Sequence, residues 1–93
     1  MLSSPHQQFE RHIREFIRNE VEMGITFASL ALDSQGTEER QQKCRESARK
    51  AYDTARRFWN KYAVEEPTEQ RNLRAGMDRL RELLLQLGET VEE

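Results

Sequence analysis

Two stretches of this chain place apolar residues at alternating intervals of four and three, without a break. One runs Cys44, Ala48, Ala51, Ala55, Phe58, Tyr62. The other runs Leu73, Met77, Leu80, Leu84, Leu87, Val91. That spacing gathers side chains onto one face of an α-helix and suits packing at a shallow crossing angle. A half-buried strand needs alternation at every second residue instead. The pattern therefore confines the chain to helical bundles.

Punctuation sets the number of helices. Asp33-Ser34-Gln35-Gly36-Thr37 is a polar cluster with a turn glycine, and Glu65-Glu66-Pro67-Thr68 carries a proline. Each closes on a threonine followed by glutamate, an N-cap with acid in the first turn. Ser4-Pro5 reads as an N-cap with proline at the first helical position. The predicted helices cover 5–33, 38–64 and 69–90, and Glu89 to Glu93 are expected to fray. Short connections make successive helices antiparallel neighbours. The expected fold is all-α: an up-down-up antiparallel three-helix bundle with long helices, one domain over 1–93, with scope to associate into a six-helix dimer.

Composition agrees and excludes alternatives. Ala, Glu, Lys, Leu and Arg make up 45 of 93 residues, the proportion of long packed helices. Leu, Ile, Val and Phe are scarce enough for disorder to be considered, but the net charge of −2 is too small for that signature. The lone Cys44 rules out an intrachain disulfide and a cysteine-based zinc site. There is no run of 18 apolar residues and no basic-then-apolar leader. A cytoplasmic protein with no membrane contact is expected.

Antiparallel pairing predicts that Gly24 and Ala28 approach Cys44 and Ala48, all small side chains. At the opposite end Phe9, Ile13, Phe16, Phe58, Trp59, Tyr62, Leu73 and Met77 should converge into an aromatic core.

Helix 1 carries more apolar surface than a two-neighbour helix needs. Phe9, Ile13, Phe16, Phe27 and Ala31 form one face. A second stripe, Val21, Ile25, Ala28 and Leu32, lies about 100° away. Leu83 and Leu85 on helix 3 also fall outside its seam. Two readings follow. Val21, Ile25, Ala28, Leu32 and Leu85 form an interface, with a second copy or another helical protein; or helix 1 is wedged between helices 2 and 3.

Glu20 interrupts the first face, opposite Ala48, Ala51 and Tyr52, with Arg49 and Tyr52 as candidate partners for a buried carboxylate. It either fixes register, serves chemistry, or sits on a wet edge. No catalytic, cofactor or metal site is expected. His6 and His12 lie six apart, too far for two ligands on adjacent turns, and both are remote from Cys44. Gly24, Gly36, Gly76 and Gly88 are isolated, so no phosphate loop exists.

Residues 40–61 carry eight basic side chains against Glu46 and Asp53. Residues 65–93 carry four arginines against eight acids. On helix 2, Arg45, Arg49 and Arg56 line one flank of the seam, and Lys43, Lys50, Arg57 and Lys61 the other. Glu46, Asp53 and Asn60 take the outermost stripe, where a nucleic-acid helix would present its cations. Pairing with acids of the other helices is the favoured reading.

The stretch Ala48-Arg49-Lys50-Ala51-Tyr52-Asp53-Thr54-Ala55 resembles the Ala/Tyr pattern of tetratricopeptide-like hairpins. The three-helix layout is similar to the MIT domains, which dock helical peptides. No 34-residue repeat accompanies the motif. The functional expectation is a non-enzymatic protein–protein interaction or assembly module. A nucleic-acid-binding regulator using helix 2 is the alternative. An enzyme or ligand binder with a site near Glu20 and Tyr52 comes third.

Overall fold

The structure, a computed structural model, describes residues 5–33, 36–62 and 67–91, with side chains from residue 8 onward. It consists of three helices, α1 (Pro5–Leu32), α2 (Glu38–Lys61) and α3 (Pro67–Gln86), with no strand among the described residues. The bundle is thin, 51 × 23 × 19 Å.

Local chemistry explains the ends. Thr37 is the α2 N-cap: its hydroxyl accepts from the Arg40 amide at 3.1 Å, and Glu38 and Glu39 supply acid to the first turn. Across the first connection, Gln41 Nε2 donates to the Asp33 carbonyl at 2.8 Å. α2 stops at Lys61, earlier than 64, with the Tyr62 amide bonded to the Phe58 carbonyl. The Ser4 cap, the His6 side chain, residues 63–64 of the predicted helix 2 and the last two glutamates lie outside what the structure describes.

α3 departs from expectation at both ends. It begins at Pro67, so Thr68 stands in its first turn and is not its cap. It ends at Gln86 because Gly88 takes a positive φ of 85°. The Gly88 amide bonds the Leu85 carbonyl and the Glu89 amide bonds the Leu84 carbonyl, each at 3.0 Å. Those are the two bonds of a Schellman cap, which glycine enters without steric cost. Beyond it the chain turns back onto the bundle. Val91 is buried against Leu80 and Leu84, and the Arg49 guanidinium donates to the Thr90 carbonyl. Residues 89–91, expected to fray, are placed against the bundle.

The core has two adjoining parts. One gathers Ala28, Ala48, Tyr52, Leu80, Leu83, Leu84 and Val91; the other gathers Ile17, Val21, Ala55 and Leu73. Both draw on all three helices. Phe9 meets Tyr62, Phe16 meets Phe58, and Gly24 faces Ala51, so the partners of α1 descend α2 as its own numbers rise. Along α3 they ascend: Arg18 bonds Glu69, Val21 faces Gly76 and Gly24 faces Leu80.

α1 reaches both neighbours through small residues. A Cβ on Gly24 would lie 2.5 Å from a Leu80 methyl and 3.2 Å from the Ala51 Cβ. One on Gly76 would lie 2.8 Å from Val21 Cγ1. The close approach of Gly24 falls at Ala51, one turn beyond the predicted Cys44–Ala48 level. It is also three-sided, since Leu80 completes it.

Candidate interaction surface

The second apolar stripe of helix 1 is not an open face. Val21 and Ala28 are buried, and Ile25 is half-buried against both parts of the core. α3 covers this stripe, and Gly76 lets it come close enough to do so. Helix 1 is wedged between its neighbours, which accounts for part of its wide apolar arc. Of the five residues expected at an interface, only Leu32 and Leu85 are exposed.

The aromatic end differs from expectation in the opposite direction. Leu73 is buried, and Ile13, Phe58, Trp59, Tyr62 and Met77 are half-buried, but Phe9 and Phe16 remain 51% and 38% exposed. Their rings lie along the outside of the α1–α2 seam. Phe9 meets Tyr62 edge-on at 5.5 Å, Tyr62 stacks on Phe58 at 5.7 Å, and Phe58 meets Phe16 at 4.7 Å. Arg57 lies 5.8 Å from the Phe58 centroid and Lys61 5.4 Å from that of Tyr62. Cations over ring faces add a modest attraction at such exposed positions.

Two further exposed side chains continue this line. Met23 is 49% and Leu30 42% exposed. Phe9, Phe16, Met23 and Leu30 are each seven residues apart. At 3.6 residues per turn, a strict seven-residue repeat drifts only about 20° per step, so all four share one outer edge of α1. Ile13, Glu20 and Phe27, half-buried, stand between them and complete a 4-3 seam. Sequence reasoning assigned Phe9 and Phe16 to the core and passed over Leu30. The signal was present: a second heptad on the same helix, displaced from the buried one.

Glu20 occupies the wet edge. It is half-buried within this outer seam, and no side chain of the described residues with charge or strong polarity is fully buried. Its proposed partners are engaged elsewhere. Arg49 bonds Asp53 Oδ2 at 3.2 Å and the Thr90 carbonyl. Tyr52 is buried at a cleft of about 230 Å³ between α2 and α3, lined also by Arg56, Trp59, Arg74, Asp78 and Arg81. Glu20 is not among that cleft's lining residues, so the structure does not bring Glu20 and Tyr52 into one site.

The two basic flanks of α2 differ in exposure, although Arg49, Lys50 and Arg57 line one open hollow with Asp53 and Glu89. Arg45, Arg49 and Arg56 are half-buried on the side that meets α3 and the returning C-terminal segment. Lys43, Lys50, Arg57 and Lys61 are exposed, and Arg57 and Lys61 lie over the Phe58 and Tyr62 rings that meet Phe16 and Phe9. Cys44, half-buried, is a free thiol. Among the described residues no group of three His, Cys, Asp or Glu is placed to hold a metal, and no helix is long and apolar enough to cross a membrane. No protein-family model, curated protein or solved structure matches this chain.

Proposed function

We propose that this chain is a non-enzymatic helical assembly module: an up-down-up antiparallel bundle that works by protein–protein contact through the outer seam of α1. One observation carries the reading. Phe9, Phe16, Met23 and Leu30, all large and apolar, stand exposed in one line at heptad spacing. Single exposed apolar residues are ordinary, whereas a contiguous line of them marks a surface that another helix covers. A reducing compartment such as the cytoplasm suits the free thiol of Cys44.

Light scattering after size exclusion, with capture of bound proteins, tests this on wild type, Phe16→Glu and Met23→Glu. The expected result is that the substitutions change the assembly mass or abolish binding while the helical content stays unchanged. Identical mass and identical bound proteins for all three would remove the reading.

Nucleic-acid binding is the second reading. The aromatic rings beside Arg57 and Lys61 favour it, since stacking platforms with basic neighbours hold single strands. Against it, Glu46 and Asp53 interrupt the outward face of α2. Binding of a single-stranded oligonucleotide with a steep salt dependence would favour this reading over the first.

A further inference from the structure

We propose that the cleft between α2 and α3 binds a small organic phosphate monoester, its phosphate held by Arg56, Arg74 and Arg81 and its ring seated beside Trp59. The proposal goes beyond the assembly reading and does not depend on it, since the cleft lies on the α3 side of α2, away from the outer seam of α1.

Helical spacing builds the cleft from one flank of each helix. Tyr52, Arg56 and Trp59 follow one another at four and three residues on α2. Arg74, Met77 and Arg81 do so at three and four on α3, with Asp78 beside them. All of these line the same space of about 230 Å³. Gly24 stands against both Ala51 and Leu80, which sets those two residues level. α2 and α3 run in opposite directions, so Arg56, five residues beyond Ala51, is level with Ala75. It therefore stands opposite the interval between Arg74 and Arg81, which are about 10 Å apart along α3. Guanidiniums thus reach one space from both walls. The space stays open because its borders are large. α1 draws close to its neighbours at Gly24 and Gly76, whereas Trp59, Met77 and the arginines stand between α2 and α3.

The chemistry of the lining selects the ligand. Among the described residues, every base in the cleft is arginine. On the exposed flank of α2, by contrast, Lys43, Lys50 and Lys61 are lysines. A guanidinium presents a planar fork that engages two phosphate oxygens at once, which an ammonium does not. Asp78 is the one acid among the lining residues, so the three arginines leave a charge of +2. A phosphate monoester matches it, carrying roughly −1.5 to −2 at neutral pH. A carboxylate or a phosphodiester brings only a single charge. The floor is apolar: Tyr52 is buried, and Trp59 and Met77 are half-buried. Aromatic side chains there suit a flat ring. The cleft is smaller than the roughly 300–1,000 Å³ of drug-sized pockets, so it has room for one ring and not for a dinucleotide.

Trp59 is the sole tryptophan of the chain, so its fluorescence reports on the cleft itself. Phenyl phosphate is the probe. Phenyl sulfate serves as its singly charged counterpart, and inorganic phosphate as the anion without a ring. Titration of wild type at neutral pH and low salt should saturate with a Kd on the order of 1 mM or below, the scale of so small a ligand. Phenyl sulfate and inorganic phosphate should each bind roughly tenfold more weakly. Arg74→Gln should weaken phenyl phosphate roughly tenfold, and Arg74→Lys should recover little, because it restores the charge without the fork. Lys43→Gln removes a charge remote from the cleft and should change the Kd by less than about twofold. Arg74 and Lys43 are exposed, so these variants should keep the fold, which circular dichroism checks. No saturable change in fluorescence, together with no heat of binding by calorimetry, would overturn the site. Equal losses in Arg74→Gln and Lys43→Gln would also overturn it, since they mark general electrostatic attraction. Phenyl sulfate binding as tightly as phenyl phosphate would overturn the charge match, and inorganic phosphate doing so would overturn the seat of the ring.

Discussion

The two faces of α1 invert the usual allocation of size. The face that meets α2 and α3 carries Ile17, Val21, Gly24, Ala28 and Ala31, all buried. The face turned away from α3 carries Phe9, Phe16, Met23 and Leu30, all substantially exposed. Both follow helical spacing, and both are apolar. The difference is that the inner face uses small residues to bring three backbones together, while the larger side chains stand outside. Inside, the apolar volume comes mostly from α3, through Leu73, Leu80, Leu83 and Leu84. Two phenylalanines, a methionine and a leucine thus stay partly open to solvent, although Phe9 and Phe16 also touch the rings of Tyr62 and Phe58. The contrast separates residues that hold the bundle together from those available to a partner under the proposed function.

The largest expected effects lie on the inner side. Leu80 is fully buried and fills the space that Gly24 leaves open. Leu80→Ala should cost about 2–5 kcal/mol of unfolding free energy, the range for deleting a buried leucine and leaving a cavity. In so thin a bundle that is a large share of total stability. Urea denaturation followed by circular dichroism measures it. A loss well under 1 kcal/mol would mean that α3 does not supply the core volume.

Gly24→Val comes next. Its new Cβ would stand 2.5 Å from the Leu80 methyl and 3.2 Å from Ala51. Leu80 can rotate only into neighbours that are themselves packed. The expected cost is about 1–3 kcal/mol, the usual penalty for overfilling a core. Gly24→Ala is the finer probe, because alanine gains about 1 kcal/mol of helix propensity that offsets part of the clash. The valine variant should therefore melt clearly below the alanine variant in the same thermal scan.

Met23→Glu probes the outer face. At a half-exposed position away from the core, the change in monomer stability should stay within about 0.5 kcal/mol. Association should nevertheless be lost, since a carboxylate would enter the middle of the apolar line. Chemical denaturation at low protein concentration and sedimentation at high concentration give the two readouts. Equal losses in both would erase the distinction between the faces.

What the sequence made legible follows the same division. The seams of α2 and α3 were readable because each helix has a single apolar face, and Leu73, Leu80, Leu84, Ala48, Ala51 and Ala55 are buried as their spacing implied. The Thr37 cap was readable because its chemistry is local. α1 was ambiguous because its apolar arc spans both faces, and periodicity cannot say which part meets a neighbour. Side-chain size pointed the wrong way: the phenylalanines looked like core, and Gly24 carried the decisive information through what it lacks. Gly88 was passed over as an isolated glycine, although a glycine just past a leucine-rich helix is a stop signal. Val91 continues the helical spacing numerically yet reaches the core from a chain that has already left the helix. Periodicity leaves Glu20 open between a buried and a wet-edge position for the same reason, and it sits on the half-buried outer edge.

The smallest effect concerns the contact that ties the start of α3 to α1. Arg18 donates to Glu69 at 2.7 Å, and both side chains are partly open to water. The hydrogen bond to Glu69, its charge, and smaller contributions from Glu22 and Glu15 raise the Arg18 pKa above its ordinary value. A raised basic group stabilises the fold below its unfolded pKa and loses that contribution only as pH climbs through the folded value. For an arginine that window lies above any working pH, so the alkaline side of the stability profile should be flat with respect to this residue. Exposure and side-chain ordering limit the pair to at most about 1 kcal/mol. Arg18→Met, which keeps the apolar stem, should lower stability by no more than that at low salt and by less at high salt, where screening weakens exposed pairs. A loss several times larger, or one indifferent to salt, would mean that Arg18 acts through packing, and that the junction of α1 and α3 depends on more than the small residues of the inner face.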